Sequence, residues 1–141
     1  MAHLIEAPTA RRPRILVAED DDEVRWLLLE RLERAGFRVA EAEDGFELED
    51  YLEWSCRRAP DRLRPAGVVA DAQMPGPSGI DVLRAARRWG LACPWVLVSA
   101  SADDALRDAA RALGPSHVLR RPFDFAALIA LLGNLMGPGS A

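Results

Sequence analysis

The sequence predicts an α/β fold, a doubly wound, five-stranded parallel sheet in a (βα)5 arrangement. Two observations lead to it. Short runs rich in Val, Leu and Ile alternate with segments of helical periodicity five times between Arg14 and Met136. Glycines at 36, 90 and 114 close three of the helical segments, where a left-handed residue is favoured. Strands alternating with helices imply βαβ units, a mostly parallel sheet, and right-handed crossovers that place helices on both faces.

The first 13 residues, MAHLIEAPTARRP, lack a long apolar core and a clear cleavage site, and read as a flexible leader. RILVA (14–18) is the first strand. A helix over 22–35 follows, with Val24, Leu27, Leu28, Leu32 and Ala35 on one stripe, Trp26 on the outer side, and Asp21 or Asp22 as its cap. FRVAEA (37–42) is the second strand. The helix over 45–58 turns Leu48, Tyr51 and Leu52 inward and Glu47, Glu49, Asp50 and Glu53 outward, and Asp44 with Glu47 has the spacing of a capping box. AGVVA (66–70) is the third strand, followed by a helix over 79–89. PWVLVS (94–99) is the fourth, followed by a helix over 102–113 that aligns Leu106, Ala109, Ala110 and Leu113. HVLR (117–120) is the fifth. The last helix, 124–136, spreads Leu128, Ile129, Leu131, Leu132, Leu135 and Met136 around most of its circumference. One stripe must pack on the sheet. The remainder is expected to be exposed, so Leu128, Ile129, Leu131 and Leu132 are expected to serve a homodimer or partner surface. GPGSA (137–141) reads as a flexible tail.

A chain of 141 residues, half of them hydrophobic and 28% charged, reads as one globular domain that can bury a core. Its net charge of −4 argues against a nucleic-acid footprint over the whole chain. Fourteen of the 22 acidic residues lie between Glu19 and Glu53, and all 18 basic residues are Arg. No apolar run approaches the roughly 18 residues of a membrane span. Cys56 and Cys93 lack metal-ligand spacing and read as free thiols in a reducing, cytoplasmic setting.

In such sheets function gathers beyond the carboxyl ends of the strands. The first strand runs into AEDDDE (18–23) and the third ends at Asp71. If these strands are neighbours, Glu19, Asp20 and Asp71 converge. Like charges that close raise one another's pKa, a conflict that a hard divalent cation such as Mg²⁺ relieves. Taken alone, the acidic run equally caps the next helix. After Asp71, Pro75, Gly76, Pro77 and Gly79 make a stiff, tight loop with little entropy left to lose. Ser99 ends the fourth strand, where its hydroxyl can meet a phosphoryl oxygen or cap the following helix. Arg121, before Pro122, can pair with Asp71 or a phosphoryl group on it, or stand exposed at the strand end.

The motifs ILVAEDD (15–21), DAQMPGPSG (71–79), VLVSA (96–100) and RPF (121–123), in this order and each at a strand end, resemble the receiver domain of bacterial two-component response regulators. The resemblance covers roughly residues 13 to 136. It implies a flavodoxin-like fold with strand order 2-1-3-4-5. It implies that Asp71 accepts a phosphoryl group from a histidine kinase or a histidine phosphotransfer protein. Mg²⁺ would be held by Glu19, Asp20, Asp71 and the backbone carbonyl of Gln73. Ser99 would be the switch hydroxyl and Arg121 the basic partner. Pro122 would be cis, and Pro75 and Gly79 would shape the loop. Val24 and Trp26 would lie where a histidine-bearing helix bundle docks. Such a protein is a phosphoacceptor that assists its own phosphorylation and dephosphorylation, not an enzyme in the ordinary sense. The pattern fills the chain, which implies a single-domain regulator, a phosphorelay intermediate, or the receiver of a longer protein.

Three positions depart from the family. Arg121 stands where a lysine is usual, Glu19 where an Asp is usual, and Val118 where an aromatic switch residue is expected on strand five. His117 should face the opposite side of that strand. Two other readings stay open. One is a receiver-like interaction module that works without phosphorylation. The other is a flavodoxin-like electron carrier, which needs a phosphate-cradling loop after strand one, where this chain has EDDDE.

Overall fold

The computed structural model describes residues 12–58 and 63–136. Of the leader expected over 1–13, residues 1–11 lie outside the described residues, as does the tail over 137–141, while Pro13 O accepts from the Arg38 N–H at 2.9 Å. Ten elements alternate: β1 (Arg14–Ala18), α1 (Asp22–Arg34), β2 (Arg38–Ala42), α2 (Gly45–Arg57), β3 (Gly67–Asp71), α3 (Gly79–Arg88), β4 (Trp95–Ser99), α4 (Asp104–Arg111), β5 (Ser116–Arg120) and α5 (Phe125–Met136). All strand pairs are parallel, in the order β2-β1-β3-β4-β5.

Period-two alternation splits the core into two layers. Leu16, Ala18, Val68, Ala70, Trp95 and Leu97 face α2, α3 and α4, where Leu48, Leu52, Val82, Leu83, Ala86 and Ala110 close the layer. Ile15, Val17, Val69, Val96 and Val98 face α1 and α5, where Leu28, Leu32, Leu128 and Leu132 close the other. The central strands are apolar on both faces because both are covered.

Side-chain caps set the helix starts. Asp21 accepts from the Val24 N–H (3.0 Å), Asp44 from Glu47 (2.8 Å), Ser78 from Asp81 (3.2 Å) and Asp103 from Leu106 (2.9 Å). Asp103 is why α4 begins two residues later than the periodicity predicts, and Ser99 does not cap it. Glu47 reaches back to the N–H of Glu43 (2.7 Å) and not to that of Asp44, so the capping box is displaced by one residue.

Two expectations need correction. Leu27 is exposed, because only Leu28 and Leu32 of the α1 stripe point squarely at the sheet. The last helix is not an open apolar face. Leu128 and Leu132 are fully buried, and Ile129, Leu131, Leu135 and Met136 are partly buried against the same layer. Helix α5 lies alongside α1, with Arg31 over the Phe125 ring at 5.2 Å and Phe123 edge-on to Phe125 at 5.6 Å. Packing against both sheet and α1 covers a wider arc than one sheet-facing stripe. The large exposed apolar side chains among the described residues are instead Trp26 and Leu27 on α1, and Phe46 and Trp54 on α2.

Cys56 and Cys93 are free, and burial pushes the Cys93 thiol up to about 12. Among the described residues no helix is long and apolar enough to cross a membrane.

Candidate functional site

Strand register assembles the site. Ala18 is level with Ala70, so Glu19 and Asp71 leave their strands at the same height. Asp71 is level with Val98 and Val98 with Leu119, which puts Ser99 one step and Arg121 two steps further along the same edge. The ladder runs past the strand ends, through Glu19 N–H to Ala42 O (3.1 Å), Ala72 N–H to Val98 O (2.9 Å) and Arg121 N–H to Ser99 O (2.9 Å). These bonds fix the backbone on which every polar side chain of the site stands.

One carboxylate oxygen from each of Glu19, Asp20 and Asp71 lies within 4.8 Å of the others. Glu19 is buried, Asp71 half-buried and Asp20 exposed. Asp71 Oδ1 accepts from the Gln73 N–H at 3.0 Å, and its Oδ2 accepts from Arg121 Nη2 at 3.2 Å. The same Nη2 donates to Glu19 Oε1. Burial pushes the Asp71 carboxyl above its ordinary range, and the charge of Asp20 adds to this, against the Gln73 N–H and Arg121. Burial and the Asp71 charge raise Glu19 as well. Ser99 is buried, and its Oγ accepts from the Ser101 N–H at 3.1 Å, which leaves its own hydrogen free to donate. The Arg121–Pro122 peptide is cis. His117 is exposed and Val118 buried, on opposite faces of β5.

The loop after Asp71 is clamped from two sides. At Gly79 a Cβ would sit 2.7 Å from the Asp71 carbonyl oxygen and 2.8 Å from Leu97 Cδ2, so only glycine lets α3 start this close to β3. On the other side, the Gly45 N–H donates to Pro75 O at 3.0 Å, and a Cβ at Gly45 would overlap the carbonyl oxygen of Pro77. The first turn of α2 thus holds the loop through its backbone. Gly45→Ala is expected to destabilise the fold by about 1–3 kcal/mol through overpacking against an unyielding carbonyl. Urea denaturation measures it, and an unchanged midpoint would contradict the clamp.

Sequence reasoning missed Gly45, which carries no signal of a contact 30 residues away, and Arg25. The Arg25 guanidinium is buried, with its Nη1 donating to Glu19 O at 2.8 Å, its Nε to Glu41 at 3.0 Å and its Nη2 to Asp22 at 2.6 Å. It fixes the backbone at Glu19 and offsets part of the acidic run. Its one sequence signal is the three-residue spacing from Asp22.

Of the residues expected at a docking face, Trp26 is 62% exposed and Val24 is half-buried. A groove of about 620 Å³ runs along α1 past Asp22, Trp26, Leu27, Leu29 and Glu41. A second, of about 510 Å³, is lined by Val24, Leu27, Ala100, Pro122, Phe123 and Phe125 and reaches Arg121.

A hard-oxygen donor set of three carboxylates fits a divalent cation such as Mg²⁺. With an anchored half-buried carboxylate, a guanidinium and a free hydroxyl hydrogen around it, the pocket can also receive a phosphoryl group.

Comparison with known proteins bears on the family and the fold. The family described as the response regulator receiver domain matches residues 15–133. The transcriptional regulatory protein PrrA of Mycobacterium tuberculosis is 35% identical over 126 residues, covering 88% of this chain and 50% of PrrA. The KDP operon transcriptional regulatory protein KdpE of Escherichia coli is 32% identical over 118 residues, covering 84% of this chain and 48% of KdpE. The chain thus spans about half the length of the curated relatives it matches. The non-phosphorylated receiver domain of HemR from Leptospira biflexa superposes with a TM-score of 0.76 at 26% identity, covering 89% of this chain and 95% of that one.

Proposed function

The chain belongs to the response regulator receiver domain family, and from that premise we propose that Asp71 accepts a phosphoryl group from a phosphohistidine of a histidine kinase or a histidine phosphotransfer protein. The observation that carries the reading is the meeting of Asp71 with Glu19, Asp20, Ser99 and Arg121 at the ends of four adjacent strands.

In the proposed reaction a carboxylate oxygen of Asp71 attacks phosphorus. The new O–P bond forms as the P–N bond of the donor breaks, and the imidazole nitrogen keeps the electron pair. The product is an acyl phosphate on Asp71. The Gln73 N–H holds one carboxylate oxygen and so orients the other toward the donor. Arg121 turns from the carboxylate to the phosphoryl oxygens, and the Ser99 hydroxyl donates to another of them. Positioning and charge neutralisation supply the catalysis. Asp20, Asp71 and the Gln73 carbonyl would hold Mg²⁺, which would supply further neutralisation of the phosphoryl charge. The donor's helices dock over the α1 grooves at Trp26 and Val24, beside the open edge of the pocket.

One observation favours the phosphorylation-independent module: Arg121 already spans Asp71 and Glu19. Incubation with acetyl phosphate separates the two readings. A phosphoryl adduct seen by intact mass with Mg²⁺, and much reduced with EDTA, is expected. No adduct from acetyl phosphate or from a phosphorylated histidine phosphotransfer protein would favour the module.

A further inference from the structure

Two departures seen separately in the sequence meet in space. Arg121 Nη2 donates to Glu19 Oε1 and, at 3.2 Å, to Asp71 Oδ2. The other oxygen of Glu19, Oε2, accepts from the Asp21 N–H at 3.1 Å. Both oxygens of a carboxylate that is only 1% exposed are therefore partnered within the protein. Arg25, itself buried, pins the backbone carbonyl of the same residue at 2.8 Å. Glu19 is thus held facing Arg121 from three directions. The guanidinium enters the pocket at the expense of its own Nε, which is buried without a hydrogen-bond partner. A longer acid and a longer, forked base reach one another here, and the guanidinium joins two of the three carboxylates that converge in the pocket.

We propose that Arg121 and Glu19 form an internal ion pair that competes with a divalent cation for this pocket, so that Glu19 serves the guanidinium and the metal is left to Asp20 and Asp71. The proposal rests on reading the pocket as metal-assisted. A guanidinium bonded to Asp71 repels an incoming dication and withdraws one of its ligands. Metal binding therefore requires Arg121 to leave Asp71. The same movement frees Arg121 to meet a phosphoryl group.

Titration calorimetry with MgCl₂ on the full chain tests it, using the native protein, R121A, E19Q and the double variant. R121A is expected to bind Mg²⁺ at least about tenfold more tightly than the native protein, since a cation is removed and Glu19 is released. E19Q alone should change the affinity by less than about threefold. In the R121A background it should weaken binding about tenfold or more, because Glu19 has there become a ligand. The proposal is overturned if R121A binds Mg²⁺ no more tightly than the native chain, or if E19Q costs as much in the native protein as in R121A. If R121A does not fold by circular dichroism, R121Q removes the same charge and carries the same expectations. Absence of Mg²⁺ binding in all variants would overturn the proposal and the metal site together. Failure of phosphoryl transfer with these affinities intact would sink only the phosphoacceptor reading.

Discussion

Asp71→Asn loses the phosphoryl adduct completely and melts at a higher temperature than the native chain. The first effect follows from chemistry. In the proposed reaction the carboxylate is the nucleophile, and an amide oxygen at the same place does not form a stable acyl phosphate. The second follows from electrostatics. Burial, with the charge of Asp20, raises the Asp71 pKa in the fold despite the Gln73 N–H and Arg121. A carboxyl raised on folding binds its proton more tightly in the native state than in the unfolded one. Its contribution to stability is therefore present below the unfolded pKa and is lost as pH rises through the folded pKa. At neutral pH the charged Asp71 is a cost, and Asn, which resembles the protonated acid, removes it. The gain in Tm should shrink as pH falls into the ordinary carboxylate range. Intact mass and thermal melts at two pH values check both effects. Because the two effects run in opposite directions, loss of the adduct cannot be put down to unfolding. An Asp71→Asn protein that melts lower at neutral pH would contradict the electrostatic account.

Leu128→Ala destabilises the fold by about 2–5 kcal/mol, the range for truncating a fully buried leucine. Leu128 has no exposed surface and packs in the layer of Ile15, Val17, Val96 and Leu132. A role at a partner surface predicts something different, namely little change in stability and a change in association. Urea denaturation with sedimentation velocity separates them. A stable variant with altered association would return α5 to the surface.

The architecture was legible in the sequence because both faces of a parallel sheet must be covered, and that requirement writes apolar runs and helical stripes alternately along the chain. Strand ends were legible for the same reason: Val68-Val69-Ala70 stops at Asp71 where the cover stops. Hence Glu19, Asp20, Asp71, Ser99 and Arg121 were identifiable as candidates before any geometry. What periodicity could not show was how much of a helix its neighbours cover. The apolar circumference of α5 suggested exposure, whereas the combined packing of the sheet and α1 buries it. Contacts between backbone atoms were also illegible, as Gly45 against Pro77 illustrates, since no side-chain type reports them. Pairings among charges were open too. Arg25 was one of many arginines in an acidic stretch, and only the fold turns it inward to the Glu19 carbonyl. The substitutions at 19 and 121 were visible one at a time. That they form one contact required the register of β1, β3, β4 and β5 together.

The measurement that tests the central claim most directly is to locate the phosphoryl group. The protein is phosphorylated with acetyl phosphate and Mg²⁺, then treated with borohydride, which reduces an aspartyl phosphate to homoserine, and digested for peptide mass mapping. The account predicts a homoserine at position 71 and at no other aspartate. Reduction at Asp20 or another acidic residue, with Asp71 intact, would contradict it.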